Sequence, residues 1–123
     1  MQKVFKFTVA LVALIFAASA LAGCSQASVD VKHATAIIDV RTPDEFSGGH
    51  LKGAVNIDVE GANFNAEVSK LDLTGNYVVY CHSGRRAGIA IDTMKSLGFS
   101  GTLTNAGGIA DATTSTGLPI VTN

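Results

Sequence analysis

The 123-residue chain has little positive charge, few cysteines and no tryptophan. Nine Lys and Arg residues stand against ten Asp and Glu residues, and a chain without a basic excess is atypical of a general nucleic-acid-binding protein. It contains neither a GxxxxGK[ST] nor a GxGxxG pattern, and no Cys and His residues have the spacing of a zinc site. These absences leave a chain long enough for one domain, whose chemistry must lie in a few residues.

The hydrophobic residues are concentrated at the beginning of the chain. Lys3 and Lys6 precede an uncharged run, residues 8–22, that ends in small residues, which is the layout of a secretory signal peptide. The run is shorter than the roughly 20 residues of a membrane-spanning helix. Leu-Ala-Gly-Cys at 21–24 resembles the lipobox of bacterial lipoproteins. The resemblance implies that residues 1–23 are removed and that Cys24 is acylated; an ordinary soluble export signal is the alternative.

Such processing leaves seven Lys and Arg residues against ten Asp and Glu residues, a net charge of −3 before the termini. Residues 24–33 are then a lipidated N-terminus and tether, and the protein is exported, to the periplasm or cell surface, with a membrane anchor on Cys24. No nucleic-acid partner is expected. Cys81 has no intrachain partner in a compartment where cysteines usually pair, so its thiol must be buried or used.

The mature chain alternates strand and helix signals. Residues 34–40, 54–57, 76–81 and 99–103 read as strands, and the apolar run at 76–81 predicts a central strand covered on both faces. Helices are predicted from Thr42–Pro43 to Gly48, over 63–71, over 86–97 with Ile89, Met94 and Leu97 on one side, and over 109–114. The alternation predicts a small α/β domain at 34–123, with a mainly parallel central sheet and helices on both faces.

A thiol, an imidazole and two guanidiniums lie within the six residues from Cys81 to Arg86. The predicted strand ends at Cys81, and a helix follows. Open α/β sheets bind ligands at the carboxyl ends of their strands, and a loop that curls into a helix directs its N–H groups inward as an anion nest. A thiol there is expected to ionise and act as a nucleophile. The alternative is an exposed polar turn with an inert cysteine.

The chain resembles the single-domain rhodaneses, a sulfurtransferase family. "DVRTPDEFSGGHLKGAVNID" (39–58) matches the family's opening signature, "YCHSGRRAGIA" (80–90) its active-site loop, and "NAGGIADATTSTGLPI" (105–120) its closing segment. The resemblance implies that Cys81 takes the outer sulfur of a donor such as thiosulfate, holds it as a persulfide, and passes it to cyanide, a thiol or a protein acceptor. No metal or organic cofactor is needed.

The family mechanism also assigns roles to the residues around Cys81. The backbone amides of His82, Ser83, Gly84, Arg85 and Arg86 would stabilise the persulfide, and the Arg85 and Arg86 side chains would bind the donor oxygens. The opening signature contains Asp39, Arg41, Glu45 and His50, which are expected to brace the site rather than catalyse. Gly107 and Gly108 are expected to turn close to the loop. His82 and Ala87 depart from the common loop pattern, and Ala112 stands where many relatives have Trp.

Two other functions remain open on the sequence. A cysteine phosphatase or arsenate reductase uses a similar thiolate nest, but its loop places Arg six residues after the cysteine, where this chain has Ala87. A non-catalytic sulfur carrier or redox module would use the same Cys81 persulfide without turnover.

Overall fold

The computed structural model describes residues 28–122. The predicted signal peptide and Cys24 lie outside these residues. Four strands form a parallel sheet in the order β3-β1-β4-β5, and two short strands, β2 and β6, pair antiparallel beside it. The strands are β1 Ala36–Asp39, β2 His50–Leu51, β3 Val55–Asn56, β4 Tyr77–Cys81, β5 Leu103–Gly108 and β6 Ile120–Val121. The helices are α1 Pro43–Ser47, α2 Phe64–Val68, α3 Arg85–Ser96 and α4 Ile109–Thr116.

Strand β4 is the centre of the fold, as its apolar sequence predicts. Each of its five residues is buried, and it pairs with β1 on one side and β5 on the other. Because successive strand side chains point to opposite faces, Val79 contributes to the core under α2 and α3, whereas Val78 and Tyr80 contribute to the core under α4. The predicted α/β class, parallel sheet and helices on both faces are confirmed.

The first helix begins where its sequence indicates. The Thr42 hydroxyl accepts a hydrogen bond from the Glu45 N–H, and the Glu45 carboxylate accepts one from the Thr42 N–H, each at 3.3 Å. This reciprocal capping box satisfies two backbone donors that the helix itself leaves unpaired. Pro43 occupies the first turn, and Gly48 is the C-cap. The capping box fixes the Glu45 side chain at the helix start.

The apolar side of α3 differs from the prediction. Ile89 is 46% exposed, and the buried residues are Ala87, Ala90, Ile91 and Met94. The prediction is right for Met94 and for Leu97, which packs against the same core, and wrong for Ile89. Alanine has little hydrophobic contrast, so sequence periodicity does not assign Ala87 and Ala90 to the buried face.

The strand predicted at 99–103 was also wrong: β5 is at Leu103–Gly108. Phe99 is buried before the strand begins, and its ring packs edge-on against Tyr77 with centroids 5.7 Å apart. The Leu-Thr-Asn-Ala-Gly-Gly sequence of β5 has little strand propensity, so its pairing with β4 determines its conformation. The pairing of β2 with β6 was not predicted, because a two-residue strand leaves almost no pattern.

Helix α2 is shorter than predicted, since it ends at Val68 rather than at 71; Phe64 and Val68 are buried. Within residues 28–122, none of the helices is both long and apolar enough to cross a membrane.

Candidate active site

Cys81 is the last residue of the central strand, and its thiol is fully buried beneath the loop that follows. The sulfur accepts hydrogen bonds from two backbone groups, the Gly84 N–H at 2.9 Å and the Ala87 N–H at 3.4 Å. Both donors lie at the start of α3, since Gly84 is its N-cap and Ala87 is in its first turn. A sulfur that bears negative charge is stabilised by N–H dipoles arranged in this way.

The curl depends on a glycine. Gly84 is the N-cap of α3 with φ of +96°, a left-handed conformation that glycine adopts without steric cost. Its N–H therefore turns towards the sulfur, and its carbonyl accepts the first helical hydrogen bond from Gly88 at 3.1 Å.

The end of β5 supports the loop from behind. A bulge in β5 places Gly108 opposite Cys81. The backbone there is so close that a Cβ on Gly108 would lie 2.3 Å from the His82 carbonyl oxygen, and one on Gly84 would lie 3.3 Å from the Gly107 Cα. Glycines at 107 and 108 thus permit the contact that the sequence predicted.

The two loop arginines have different surroundings. Arg86 makes a two-point ion pair with Glu45, with Nη1 to Oε1 at 2.7 Å and Nη2 to Oε2 at 2.9 Å. Arg85 is exposed, and no hydrogen bond or ion pair holds its guanidinium within residues 28–122. Glu45 engages two of the five N–H donors of Arg86. The expectation that both side chains bind the donor stays a prediction, and Arg85 is the less engaged of the two.

The ion pair shifts both titrations. The hydrogen bonds from Arg86 lower the pKa of Glu45 from 4.5 to about 2, although partial burial opposes the shift. The Glu45 carboxylate in turn raises the pKa of Arg86. Glu45 also completes the capping box of α1, so one carboxylate connects that helix to the first turn of α3. Glu45 braces the loop through Arg86.

Asp39 and Arg41 form a second, buried ion pair at the end of β1. The Arg41 Nη2 lies 2.7 Å from Asp39 Oδ2 and 2.6 Å from the Gly49 carbonyl oxygen. Burial alone would lower the pKa of Arg41, but the hydrogen bonds and charge of Asp39 outweigh it and the pKa is raised. The guanidinium lies 5.8 Å from the ring centre of Tyr80. This pair lies on the Tyr80 side of β4, beside the residue that precedes Cys81.

His50 is buried and its ring stacks on Phe46, with centroids 3.6 Å apart. Its Nδ1 lies 2.9 Å from the Phe46 carbonyl oxygen. The described contacts of His50 are therefore structural. His82 and Ser83 are exposed on the loop, where their side chains face solvent.

Three polar residues escaped the sequence interpretation. The Tyr80 hydroxyl accepts a hydrogen bond from the Leu51 N–H at 3.0 Å, and burial is the main cause of its raised pKa. Asn56 donates to the carbonyls of Asp39 and Arg41. Asn105 donates to the Gly84 carbonyl and accepts from the Gly107 N–H. Only Asn105 has a local signal, since Asn two residues before Gly is typical of an Asx turn.

Comparison with known proteins gives one consistent result. A family model described as a rhodanese-like domain matches residues 22–114. Thiosulfate sulfurtransferase PspE of Escherichia coli (strain K12) is 32% identical over 74 residues, which are 60% of this chain and 70% of that protein. YrkF of Bacillus subtilis (strain 168), provisionally named a sulfur carrier protein, is 32% identical over 85 residues, 69% of this chain but only 45% of that protein.

A solved structure, described as rhodanese with anions from E. coli, superposes on this fold with a TM-score of 0.59 and 30% sequence identity. The match covers 72% of this chain and 98% of the other. Sequence and fold therefore agree, and the chain belongs to the rhodanese-like domain family.

Proposed function

We propose that the protein is a sulfurtransferase that carries sulfane sulfur on Cys81. The observation that supports this most strongly is the Cys81 sulfur, buried at the end of the central strand and contacted by the Gly84 and Ala87 N–H groups. Backbone N–H groups stabilise negative charge on the Cys81 sulfur without supplying a competing acid, so this arrangement favours the thiolate that attacks the donor and is regenerated when the sulfur is passed on.

In the first step, the Cys81 thiolate attacks the outer sulfur of thiosulfate. A bond forms between the two sulfurs, the sulfur–sulfur bond of thiosulfate breaks, and sulfite leaves with the bonding electron pair. Cys81 then carries a persulfide with one negative charge. Arg85 would bind the donor oxygens, and two observations within residues 28–122 support this role: its exposure at the start of α3 and its unpaired guanidinium.

In the second step, a thiophilic acceptor attacks the terminal sulfur of the persulfide. With cyanide, a carbon–sulfur bond forms, the persulfide bond breaks, and thiocyanate leaves while the Cys81 thiolate is regenerated. A small thiol or the thiol of a protein partner reacts at the same atom. Since the protein begins and ends as a thiolate, neither step consumes an external oxidant or reductant.

The loop geometry disfavours phosphoryl or arsenate chemistry. The residue six positions after Cys81 is Ala87, and the guanidinium one position earlier is paired with Glu45. A phosphate or arsenate bound over Cys81 would therefore lack an arginine at the sixth position after the cysteine, from which such loops supply it. Efficient hydrolysis of an aryl phosphate that depends on Cys81 would contradict this reading.

A non-catalytic sulfur carrier is the second candidate function, and the similarity to YrkF, which is provisionally named a sulfur carrier protein, supports it. Carrier and enzyme share the persulfide but differ in turnover. An enzyme converts many equivalents of thiosulfate and cyanide per Cys81, whereas a carrier loads one sulfur and stops until a specific partner removes it.

We further propose that the protein is exported and anchored through lipid on Cys24, as a periplasmic or cell-surface protein. The support is the sequence of residues 1–24: two lysines, an uncharged run and a lipobox-like end. Acyl chains on Cys24 would hold the domain near the membrane while the Cys81 loop receives small anions from solution.

One experiment tests both proposals. The full chain, expressed with its N-terminal segment and recovered from membranes, is treated with thiosulfate and its intact mass measured. We expect acylation at Cys24, one added sulfur on the wild type, and neither added sulfur nor cyanide-dependent turnover in Cys81→Ser. Cys24→Ser serves as the control, expected to load sulfur without the acyl mass. Turnover by Cys81→Ser would overturn the mechanism.

A further inference from the structure

Asn105 is an exposed residue of β5 that lies outside the Cys81 loop yet contacts it. Its side-chain Nδ2 donates to the Gly84 carbonyl oxygen at 3.2 Å, and its Oδ1 accepts from the Gly107 N–H at 2.8 Å. The amide orientation is fixed by these two bonds, since one partner is an acceptor and the other a donor. We propose that Asn105 is a positioning residue that holds Gly84 so that its N–H stays directed at the Cys81 sulfur.

The argument begins with the freedom of Gly84. This residue has φ of +96° and supplies the shorter of the two hydrogen bonds to the sulfur. Glycine has no Cβ to restrict its backbone, so nothing in the residue itself keeps this conformation. The restraint must come from neighbours that hold the peptide groups on either side.

Asn105 supplies such a restraint at the carbonyl. The Gly84 N–H and carbonyl belong to the two peptide groups that meet at its Cα. A held carbonyl fixes the second group and the Cα, so that the N–H can leave the sulfur only by a flip of the peptide between Ser83 and Gly84. The carbonyl has two donors, the Gly88 N–H at 3.1 Å and the Asn105 amide at 3.2 Å. The first moves with α3, whereas Asn105 belongs to a strand paired with β4. Asn105 therefore fixes the loop relative to Cys81.

The second bond of Asn105 shapes the strand that carries it. Asn105 pairs with Val79 and Gly108 pairs with Cys81, so β5 spends three steps where β4 spends two. The bond from the Gly107 N–H to Oδ1 closes an Asx turn across this extra residue, where Gly107 has φ of +81°. The bulge brings Gly107 and Gly108 against the loop. The Asn105 side chain thus both stabilises the bulge of β5 and contacts the Cys81 loop.

Two substitutions separate these contacts. Asn105→Ala removes both hydrogen bonds. Asn105→Ser keeps a short hydroxyl that can accept from the Gly107 N–H, as in an ST turn, but does not reach the Gly84 carbonyl. Thr104→Ala is the matched control, because Thr104 precedes Asn105 on β5 and its side chain makes no hydrogen bond to the loop within residues 28–122.

The test combines amide hydrogen exchange of the full-length chain, followed residue by residue by NMR, with steady-state thiosulfate:cyanide kinetics. In both Asn105 variants we expect Gly84 N–H exchange to rise roughly 2- to 10-fold and kcat to fall over a similar range, the effect of one net hydrogen bond. The KM for thiosulfate stays near the wild-type value. Gly107 N–H exchange rises more in Asn105→Ala than in Asn105→Ser, and Thr104→Ala matches the wild type.

Wild-type exchange at Gly84 in both Asn105 variants would overturn the inference, and so would faster exchange with unchanged kcat. A raised KM at constant kcat would also contradict it, since Asn105 would then bind the donor itself. The kinetic arm rests on the proposed function. If the wild type shows no turnover, that function fails separately, and Gly84 exchange alone decides whether Asn105 holds the loop.

Discussion

At the scale of single residues, the adjacent arginines Arg85 and Arg86 have different surroundings. The Arg86 side chain is 17% exposed and forms an ion pair with Glu45, whereas Arg85 is exposed and unpaired within residues 28–122. Both precede Ala87, whose N–H reaches the sulfur. The adjacent positions differ because a helix turns by about 100° per residue, so the Arg85 guanidinium faces solvent and the Arg86 guanidinium faces α1.

This difference predicts different kinetics for the two alanine variants. Arg85→Ala is expected to raise the KM for thiosulfate roughly 3- to 10-fold with little change in kcat, through loss of one exposed charged hydrogen-bond donor. Arg86→Ala is expected to lower kcat and the melting temperature together, because Glu45 loses its partner. Arg85→Lys, the control, should restore most of the affinity. If Arg86→Ala instead raised the KM for thiosulfate without lowering the melting temperature, Arg86 would be a donor-binding residue.

The Glu45–Arg86 pair also predicts a pH dependence of stability. Since folding lowers the pKa of Glu45 from 4.5 to about 2, its contribution is fully present above the unfolded value and lost as pH falls through the folded value. Above about pH 5, the free energy of unfolding of the wild type should exceed that of the Glu45→Gln variant by a constant amount. The difference should shrink between about pH 4.5 and 2, measured by urea titration. Asp44→Asn is the charge-matched control, and the same narrowing there would exclude Glu45 as the cause.

At the scale of elements, β5 is defined by its neighbours rather than by its own sequence. It follows β4 in parallel, widens by one residue at the bulge, and ends with Gly108 against the loop. The sequence assigns Phe99 to this strand, over 99–103. In the structure Phe99 packs on Tyr77 instead. The polar and glycine-rich segment is the strand, because it can approach the Cys81 loop closely.

Gly108→Ala tests this close approach. The new Cβ would lie 2.3 Å from the His82 carbonyl oxygen, so the loop or the strand must move. We expect a loss of about 1–3 kcal/mol in the free energy of unfolding, typical of overpacking, and at least a tenfold lower kcat. Gly48→Ala is the control, because its Cβ would meet the nearest backbone atom at an ordinary 3.5 Å. Wild-type turnover in Gly108→Ala would show that the loop position does not matter.

At the scale of the whole molecule, the sheet separates two hydrophobic cores, and the C-terminal segment packs against one of them. Leu118 packs with the core under α4, and β6 then pairs with β2 through His50–Val121 and Leu51–Ile120. The Lys52 N–H donates to the Pro119 carbonyl oxygen at 2.9 Å. The C-terminal segment thus holds β2, and β2 lies beside the Gly49 carbonyl that Arg41 contacts.

Removal of residues 118–123 should therefore destabilise the domain without touching the Cys81 loop. The loss of the β2–β6 ladder and of the Leu118 contact is expected to lower the free energy of unfolding by about 2–4 kcal/mol, measured by urea denaturation. Sulfur loading on Cys81 at low temperature should persist. A shorter truncation that removes only 122–123 is the control. Loss of loading at temperatures where the truncated chain remains folded would show that the closure reaches the active site.

The sequence predicts local features well where the residue types present favour a single local structure. Thr42-Pro43-Asp44-Glu45 is confirmed as a helix start, the apolar run at 76–81 as the central strand, and the α/β architecture follows from their alternation. The sequence predicts less well where small residues form the contact, as on α3, or where pairing outweighs propensity, as in β5.

The candidate site shows the same division between sequence and tertiary structure. The sequence alone places Cys81 at a strand end, before a glycine and a helix, because strand, turn and helix signals are local. Which arginine remains unpaired and which asparagine holds the loop depend on Glu45 and Asn105, 36 residues before and 24 after Cys81 in the chain. Their contacts form only when α1 and β5 pack around β4, since hydrogen bonds and ion pairs require groups within about 3 Å. Local sequence determined the chemistry, and tertiary packing decided the partners.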